Sequence, residues 1–150
     1  MKNLRKQRGV AAVELGLLLI PLVMLVFGIT ECGRAIYQFN ALAKSTRDAA
    51  RFLSGQSPGD PTDVTTAQCL AVYGNKACTP PALVPNLTLA MVTVCDRSSC
   101  AGTHQNQPTG SGVINLVTVT VSGYPFTSLV PFSVPDMAFG PISTTMRQVL

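Results

Sequence analysis

The sequence predicts an α+β fold: one long N-terminal helix, membrane-spanning at first and amphipathic beyond, packed on a small antiparallel β-sheet. Three observations predict it. The run from Leu15 to Ile29 contains no charged residue. Apolar residues then recur at spacings of three or four as far as Leu53, the mark of a helix with one buried face. From Leu87 the period becomes two. Leu87, Leu89 and Met91 alternate with Thr88 and Ala90, and Val117, Val119 and Val121 alternate with Thr118, Thr120 and Ser122. That alternation suits strands with one face in a core and one in water.

Residues 1–9 read as a basic leader. Lys2, Arg5, Lys6 and Arg8 are four of the eleven basic residues, which leaves seven against the seven acids in the rest of the chain. A nucleic-acid binder would cluster its charge on the folded part, so the net charge of +4 is not a sign of one. It predicts instead that the N-terminus stays cytoplasmic and the C-terminal part crosses the membrane. Residues 10–29 form the predicted span, roughly 30 Å of helix and enough to cross a hydrocarbon core. An ordinary cleaved signal is a poorer fit. The apolar run is long, and Thr30-Glu31-Cys32-Gly33-Arg34 offers no small-x-small cleavage site. Pro21 should kink or loosen the helix, because it cannot donate to the carbonyl of Leu17.

Residues 30–53 continue the helix. Ile29, Cys32, Gly33, Ile36, Phe39, Leu42, Ala43, Thr46, Ala50 and Leu53 make its apolar face, and Arg34, Gln38, Lys44, Arg47, Asp48 and Arg51 the rest of its surface. The outer domain, 54–150, opens on a loop from Ser54 to Thr62, rich in Gly and Pro. A short helix should follow, with a capping box at Thr65 and Gln68 and a stop at Gly74. The run from Ala101 to Gly112 reads as a long mobile connection, and Ile142 to Val149 as a third strand. Asp60 and Asp63 look like turn and capping residues.

Four of the five cysteines, Cys69, Cys78, Cys95 and Cys100, lie in that domain. Outside the cytoplasm they would form disulfides, and of the three possible pairings the sequence-local one, Cys69–Cys78 with Cys95–Cys100, closes two short loops. Zinc is a poorer reading, because the spacings lack a Cys-x-x-Cys knuckle. Cys32 is expected as a buried thiol on the apolar helix face, with an intermolecular bridge as its alternative. The one histidine, His104, sits in a polar loop with no acid or nucleophile near it in sequence. With no phosphate loop, dinucleotide fingerprint or metal-ligating histidine pair, the expectation is a protein that is not an enzyme, with no catalytic residue, metal, cofactor or small-molecule substrate.

Glu14 is the exception in the apolar run. An acid at the centre of a bilayer costs roughly 2.5–3.5 kcal/mol, and such residues usually serve a function. If the chain is cut after Gly9, Val10 gains an α-amine four residues from Glu14, on the same helix face. Glu14 could then pair with that amine or, in an assembly, with the amine of a neighbouring subunit. In low dielectric such a pairing selects register strongly.

The segment Arg8-Gly9-Val10-Ala11-Ala12-Val13-Glu14-Leu15, the Pro21 inside the apolar run, and Phe27-Gly28-Ile29-Thr30-Glu31-Cys32-Gly33-Arg34-Ala35 together resemble the TadE-like proteins of tight-adherence (Flp) pilus systems. So do Asn40-Ala41-Leu42, Ala49-Ala50-Arg51 and the closing Ser143-Thr144-Thr145-Met146-Arg147. Leu15 and Cys32 stand where the family often carries an aromatic residue. The resemblance implies a type IV pilin-like fold and a bacterial inner-membrane pseudopilin or minor pilin. It implies cleavage between Gly9 and Val10 by a prepilin peptidase, with Glu14 as the assembly residue. The implied partners are the major pilin, other minor pilins, a secretion ATPase, an inner-membrane platform and the lipid bilayer. Two other readings are open. One is an anchored periplasmic scaffold that keeps its leader and never enters a filament. The other is a membrane-tethered thiol oxidoreductase, which would need a labile disulfide with a low-pKa thiolate.

Overall fold

A computed structural model of the chain describes residues 4–149, with side chains from Gly9 onward. The basic leader side chains therefore lie outside the described residues. Helix α1 runs from Leu4 to Ser54 and is unbroken through Pro21. The chain divides into two compact units. Met1–Ile36 with Thr127–Asp136 make the first, and Tyr37–Phe126 with Met137–Leu150 the second.

The second unit is α+β. Its part of α1 buries Leu42, Ser45, Thr46, Ala49, Ala50 and Leu53, which recur at the helical spacing and so form one stripe. A loop leads to helix α2 (Pro61–Tyr73). Strands β1 (Val92–Cys95), β2 (Gln107–Thr109), β3 (Gly112–Val121) and β6 (Ile142–Gln148) form an antiparallel sheet, and β4 (Pro125–Phe126) pairs with β5 (Met137–Ala138). Strand β3 is central. It pairs Val92↔Val121 through Cys95↔Thr118 with β1, and Asn115↔Gln148 through Val121↔Ile142 with β6. Alternation along β3 aims Val117, Val119 and Val121 into the core, where they meet Leu42, Ala49, Ala50 and Leu53 of α1 and Ala67, Ala71 and Val72 of α2. Tyr124 closes this core. Its hydroxyl donates to the Pro85 carbonyl at 2.8 Å and lies 3.2 Å from the side-chain amide of Gln38, so a buried phenol keeps its partners.

Four expectations need correction. The short helix begins at Pro61, not after a box at Thr65. Asp60 is its cap and accepts from the Thr62 amide at 2.8 Å, and the Asp-Pro pair wins because Pro61 brings a preset φ and no orphan N–H. Thr65 lies inside the helix, and Gln68 donates across to the Val92 carbonyl at 3.1 Å. Gly74 does end α2, at φ 70°, where its amide reaches the Leu70 carbonyl. That left-handed backbone suits a residue without a Cβ.

The strand expected at Leu87–Met91 is a 3₁₀ turn at Leu89–Met91, and the strand starts at Val92. Leu-Ala-Met accepts a helical turn, while the β-branched Val92-Thr93-Val94 holds an extended chain. The connection expected between Ala101 and Gly112 is instead ordered as a one-turn helix α3 (Ala101–His104) followed by β2. Strand β2 folds back on the start of β3 across Gly110-Ser111, with Thr109 opposite Gly112, a two-residue hairpin of the kind glycine favours. Finally, the apolar face drawn through Ile29, Cys32, Ile36 and Phe39 is exposed, with Ile36 at 61%. The residues buried there are Glu31 and Gln38, because the elements packed on this stretch present polar groups.

Cys69 is bonded to Cys78 and Cys95 to Cys100. Each closes a short loop, for which the chain-entropy account gives about 2 kcal/mol. Reduction of both should therefore lower the unfolding free energy of this unit by about 4 kcal/mol if the effects add. Thermal melting before and after reduction, with thiols counted by mass, checks this; coincident melts would remove the disulfides from the stability account.

Candidate functional site

The candidate site lies in the first unit. Gly9 and Val10 sit on helical backbone and are exposed, and so is every residue from Val10 to Phe27. Leu17 is 73% exposed and Leu18 66%. No residue of this apolar window is buried by the chain itself, and the helix is long and apolar enough to cross a membrane. Glu14 lies in the same exposed surface, four residues from Val10 and beside Val13, Leu17 and Leu18. The helix thus places Glu14 and the Gly9–Val10 bond on one accessible segment. The disulfide cysteines belong to the second unit.

Beyond the apolar run is a polar cluster that the sequence reading missed. Glu31 is 2% exposed. One turn on, Arg34 grips it with Nη2 at 2.7 Å from Oε2 and Nε at 3.3 Å from Oε1. Such a two-point pairing is geometrically specific. The same Nη2 donates to the Thr127 carbonyl. Glu31 Oε2 also accepts from the Ser128 hydroxyl at 3.2 Å and from the Leu129 amide at 3.3 Å. The Arg34 hydrogen bond lowers the Glu31 pKa. Burial opposes this, and the Leu129 amide and the Ser128 hydroxyl add to the lowering. Glu31 and Arg34 thereby clasp the segment 127–136 onto the helix.

That segment then runs along the helix toward its N-terminus. The Ser133 hydroxyl donates to the Met24 carbonyl at 3.2 Å, and a Cβ at Gly28 would stand 3.1 Å from Ser133 Oγ. Gly28 is the residue whose missing side chain permits the approach. The i,i+3 spacing of Glu31 and Arg34 was a readable signal for a pair. What no local pattern gave was the distant loop that buries it.

Cys32 is exposed, contrary to the expected buried thiol: the buried position of that turn goes to Glu31, and Cys32 points elsewhere on the helix. His104 is part-buried at the end of α3 rather than in a solvated loop. Its Nδ1 lies 2.8 Å from Thr103 Oγ1 and its Nε2 2.8 Å from Thr118 Oγ1. Its ring and the sulfurs of Cys95 and Cys100 fall within 4.8 Å of one another. Both sulfurs are committed to their mutual bond, and a thiolate, not a disulfide, is the metal ligand.

Residues 9–51 match the family model described as TadE-like protein. The match begins at the glycine before Val10 and ends close to the end of α1, just under a third of the chain. No curated protein and no solved structure matches the chain.

Proposed function

On the premise that α1 is the helix of a TadE-like protein, and so of a tight-adherence pilus assembly component, we propose that the chain is a pseudopilin or minor pilin. It is anchored by residues 10–29 in the bacterial inner membrane. Its N-terminus is cytoplasmic and its disulfide-bonded domain periplasmic, and it acts by docking rather than by catalysis. One observation carries this reading. Glu14 stands on a fully exposed apolar helix surface, one turn from Val10.

An exposed glutamate in that setting resists burial unless a cation meets it. Cleavage after Gly9 by a prepilin peptidase creates such a cation at Val10. In a helical array the amine of one subunit and the carboxylate of the next would fix the axial register, while the surrounding Leu and Val side chains supply contact area. Major pilin, other minor pilins and the inner-membrane platform are the partners this docking implies.

The test is the N-terminus of the protein taken from native membranes. Intact mass and N-terminal sequencing should give a chain beginning at Val10, and Gly9→Leu should leave the leader attached in cells carrying the peptidase. Glu14→Gln should insert normally and be recovered with pilus components at a clearly reduced level. A native chain that keeps its leader would replace this reading with a static anchored scaffold. Undiminished recovery of Glu14→Gln would remove the pairing.

A further inference from the structure

The segment 127–136 combines features that a periplasmic loop does not need. Residues 127–135, Thr-Ser-Leu-Val-Pro-Phe-Ser-Val-Pro, carry no charge. Leu129 is 75% exposed and Phe132 67%. The loop is held against the helix by Glu31 and Arg34 at one end and by the Met24 carbonyl and Gly28 at the other. Met24 lies inside the charge-free run, five residues before Ile29. At 1.5 Å per residue, Ser133 therefore meets the helix about 7 Å inside the end of that run.

An irregular loop at membrane depth must satisfy its own backbone or meet the water of the interface, and most of this loop's amides are paired. The amides of Ser128, Leu129 and Val130 go to Asp136 Oδ1, Glu31 Oε2 and Ser128 Oγ. Those of Ser133 and Val134 go to the Val130 carbonyl. Pro131 and Pro135 have no N–H to place. The charged end, Asp136, turns back to cap Ser128 rather than descending with Phe132.

We propose that this loop is a second membrane element, with Leu129 and Phe132 seated in the interfacial layer of the leaflet farther from Gly9. The occupant of its exposed apolar side is lipid, the same surface that covers the helix to which the loop is fixed. Apolar side chains at this depth gain transfer free energy, while the paired amides lower the cost of bringing the backbone there. The loop thereby fixes how deep the helix sits. The inference rests on residues 10–29 spanning the bilayer, and the experiment separates the two.

The chain has no tryptophan, so one introduced residue reports alone. Phe132→Trp is prepared in the full chain and reconstituted in phosphatidylcholine–phosphatidylglycerol vesicles, with and without acyl-chain bromination. Leu129→Trp serves as a second loop reporter should the first fold poorly. Leu19→Trp reports the span, and Val113→Trp, at a position 63% exposed on β3, reports water. The loop and span reporters should both be blue-shifted and lose most of their emission in brominated lipid, with the Val113→Trp signal unchanged. A quenched span reporter beside a red-shifted, iodide-accessible loop reporter would overturn the loop assignment and leave the anchor standing. An unquenched span reporter would overturn the membrane premise and the loop assignment together. Loop protection that disappears as lipid is added at fixed protein would identify a second copy as the cover, which also overturns it.

Discussion

Asp96→Ala lowers the unfolding free energy of the second unit, Tyr37–Phe126 with Met137–Leu150, by about 3 kcal/mol. The carboxylate is 4% exposed. Its Oδ1 accepts the amides of Ser98 and Ser99 at 2.9 and 2.8 Å and the Ser99 hydroxyl at 3.0 Å. Its Oδ2 accepts the Gly59 amide at 2.7 Å. One side chain therefore organises the turn inside the Cys95–Cys100 loop and ties it to the segment leading into α2. Alanine removes the shared acceptor of four hydrogen bonds at once, and a hydrogen bond to a charged group is worth about 1.5–3 kcal/mol before relaxation.

Asp96→Asn should recover only part of the loss. It keeps the shape but turns an NH₂ toward either Gly59 or the serine amides. Urea unfolding of the three proteins checks the order, and an alanine variant within about 1 kcal/mol of the parent would refute the assignment. The same carboxylate sets a pH dependence. Burial raises its pKa, but the amides of Ser99, Gly59 and Ser98 with the Ser99 hydroxyl outweigh burial and leave it below its ordinary value of 3.8. The unfolded chain thus binds the proton more readily. The contribution is complete above the ordinary value and is lost as pH falls through the lower folded value.

Glu31→Ala releases the 127–136 loop from α1. The substitution removes at once the partner of Arg34 and the acceptor for Ser128 and Leu129. What remains is the Arg34 bond to the Thr127 carbonyl, without the carboxylate that orients the guanidinium, and Ser133 with Met24 and Gly28. Amide exchange at Leu129 and Val134 should become roughly tenfold faster, the effect of about one lost net hydrogen bond, and a protease should cut near Phe132. Arg34→Ala should follow in the same direction, and the double variant should add little, since both remove one clasp. Unchanged protection in Glu31→Ala would show that the loop holds itself. Acid should mimic the substitution. Arg34 first, then the Leu129 amide and Ser128 hydroxyl, keep the Glu31 pKa below its ordinary value of 4.5. The clasp is therefore complete above that value and lost as pH falls through the lower one.

The long helix was legible because its signals are local. Charge-free length, a continuous period of three to four and the Gly-rich breakers after Leu53 depend only on near neighbours. Valine alternation marked the inner face of β3 for the same reason, and Gly74 marked the end of α2. Glu14 stood out because an acid in an apolar run is costly wherever the rest of the chain goes. The Gly110-Ser111 hairpin turn and the Asp60-Pro61 helix start were also readable, although stronger-looking patterns nearby concealed them.

Tertiary structure alone decided the rest. Whether Glu31 or Cys32 would be the buried residue of its turn depended on what packs there, and the covering groups come from residues 127–129, about a hundred positions away. Asp96 drew no reading from the sequence, because the Gly59 amide that meets it comes from the segment before α2. His104 acquired its partner when β3 placed Thr118 beside it. A sequence carries the propensity of each segment, but burial and hydrogen-bond pairing are properties of two segments together. Sequence by itself determined the long apolar helix, its acid and the core face of the sheet. Folding determined which polar side chains became clasps, because a buried carboxylate is stable only where distant donors converge on it.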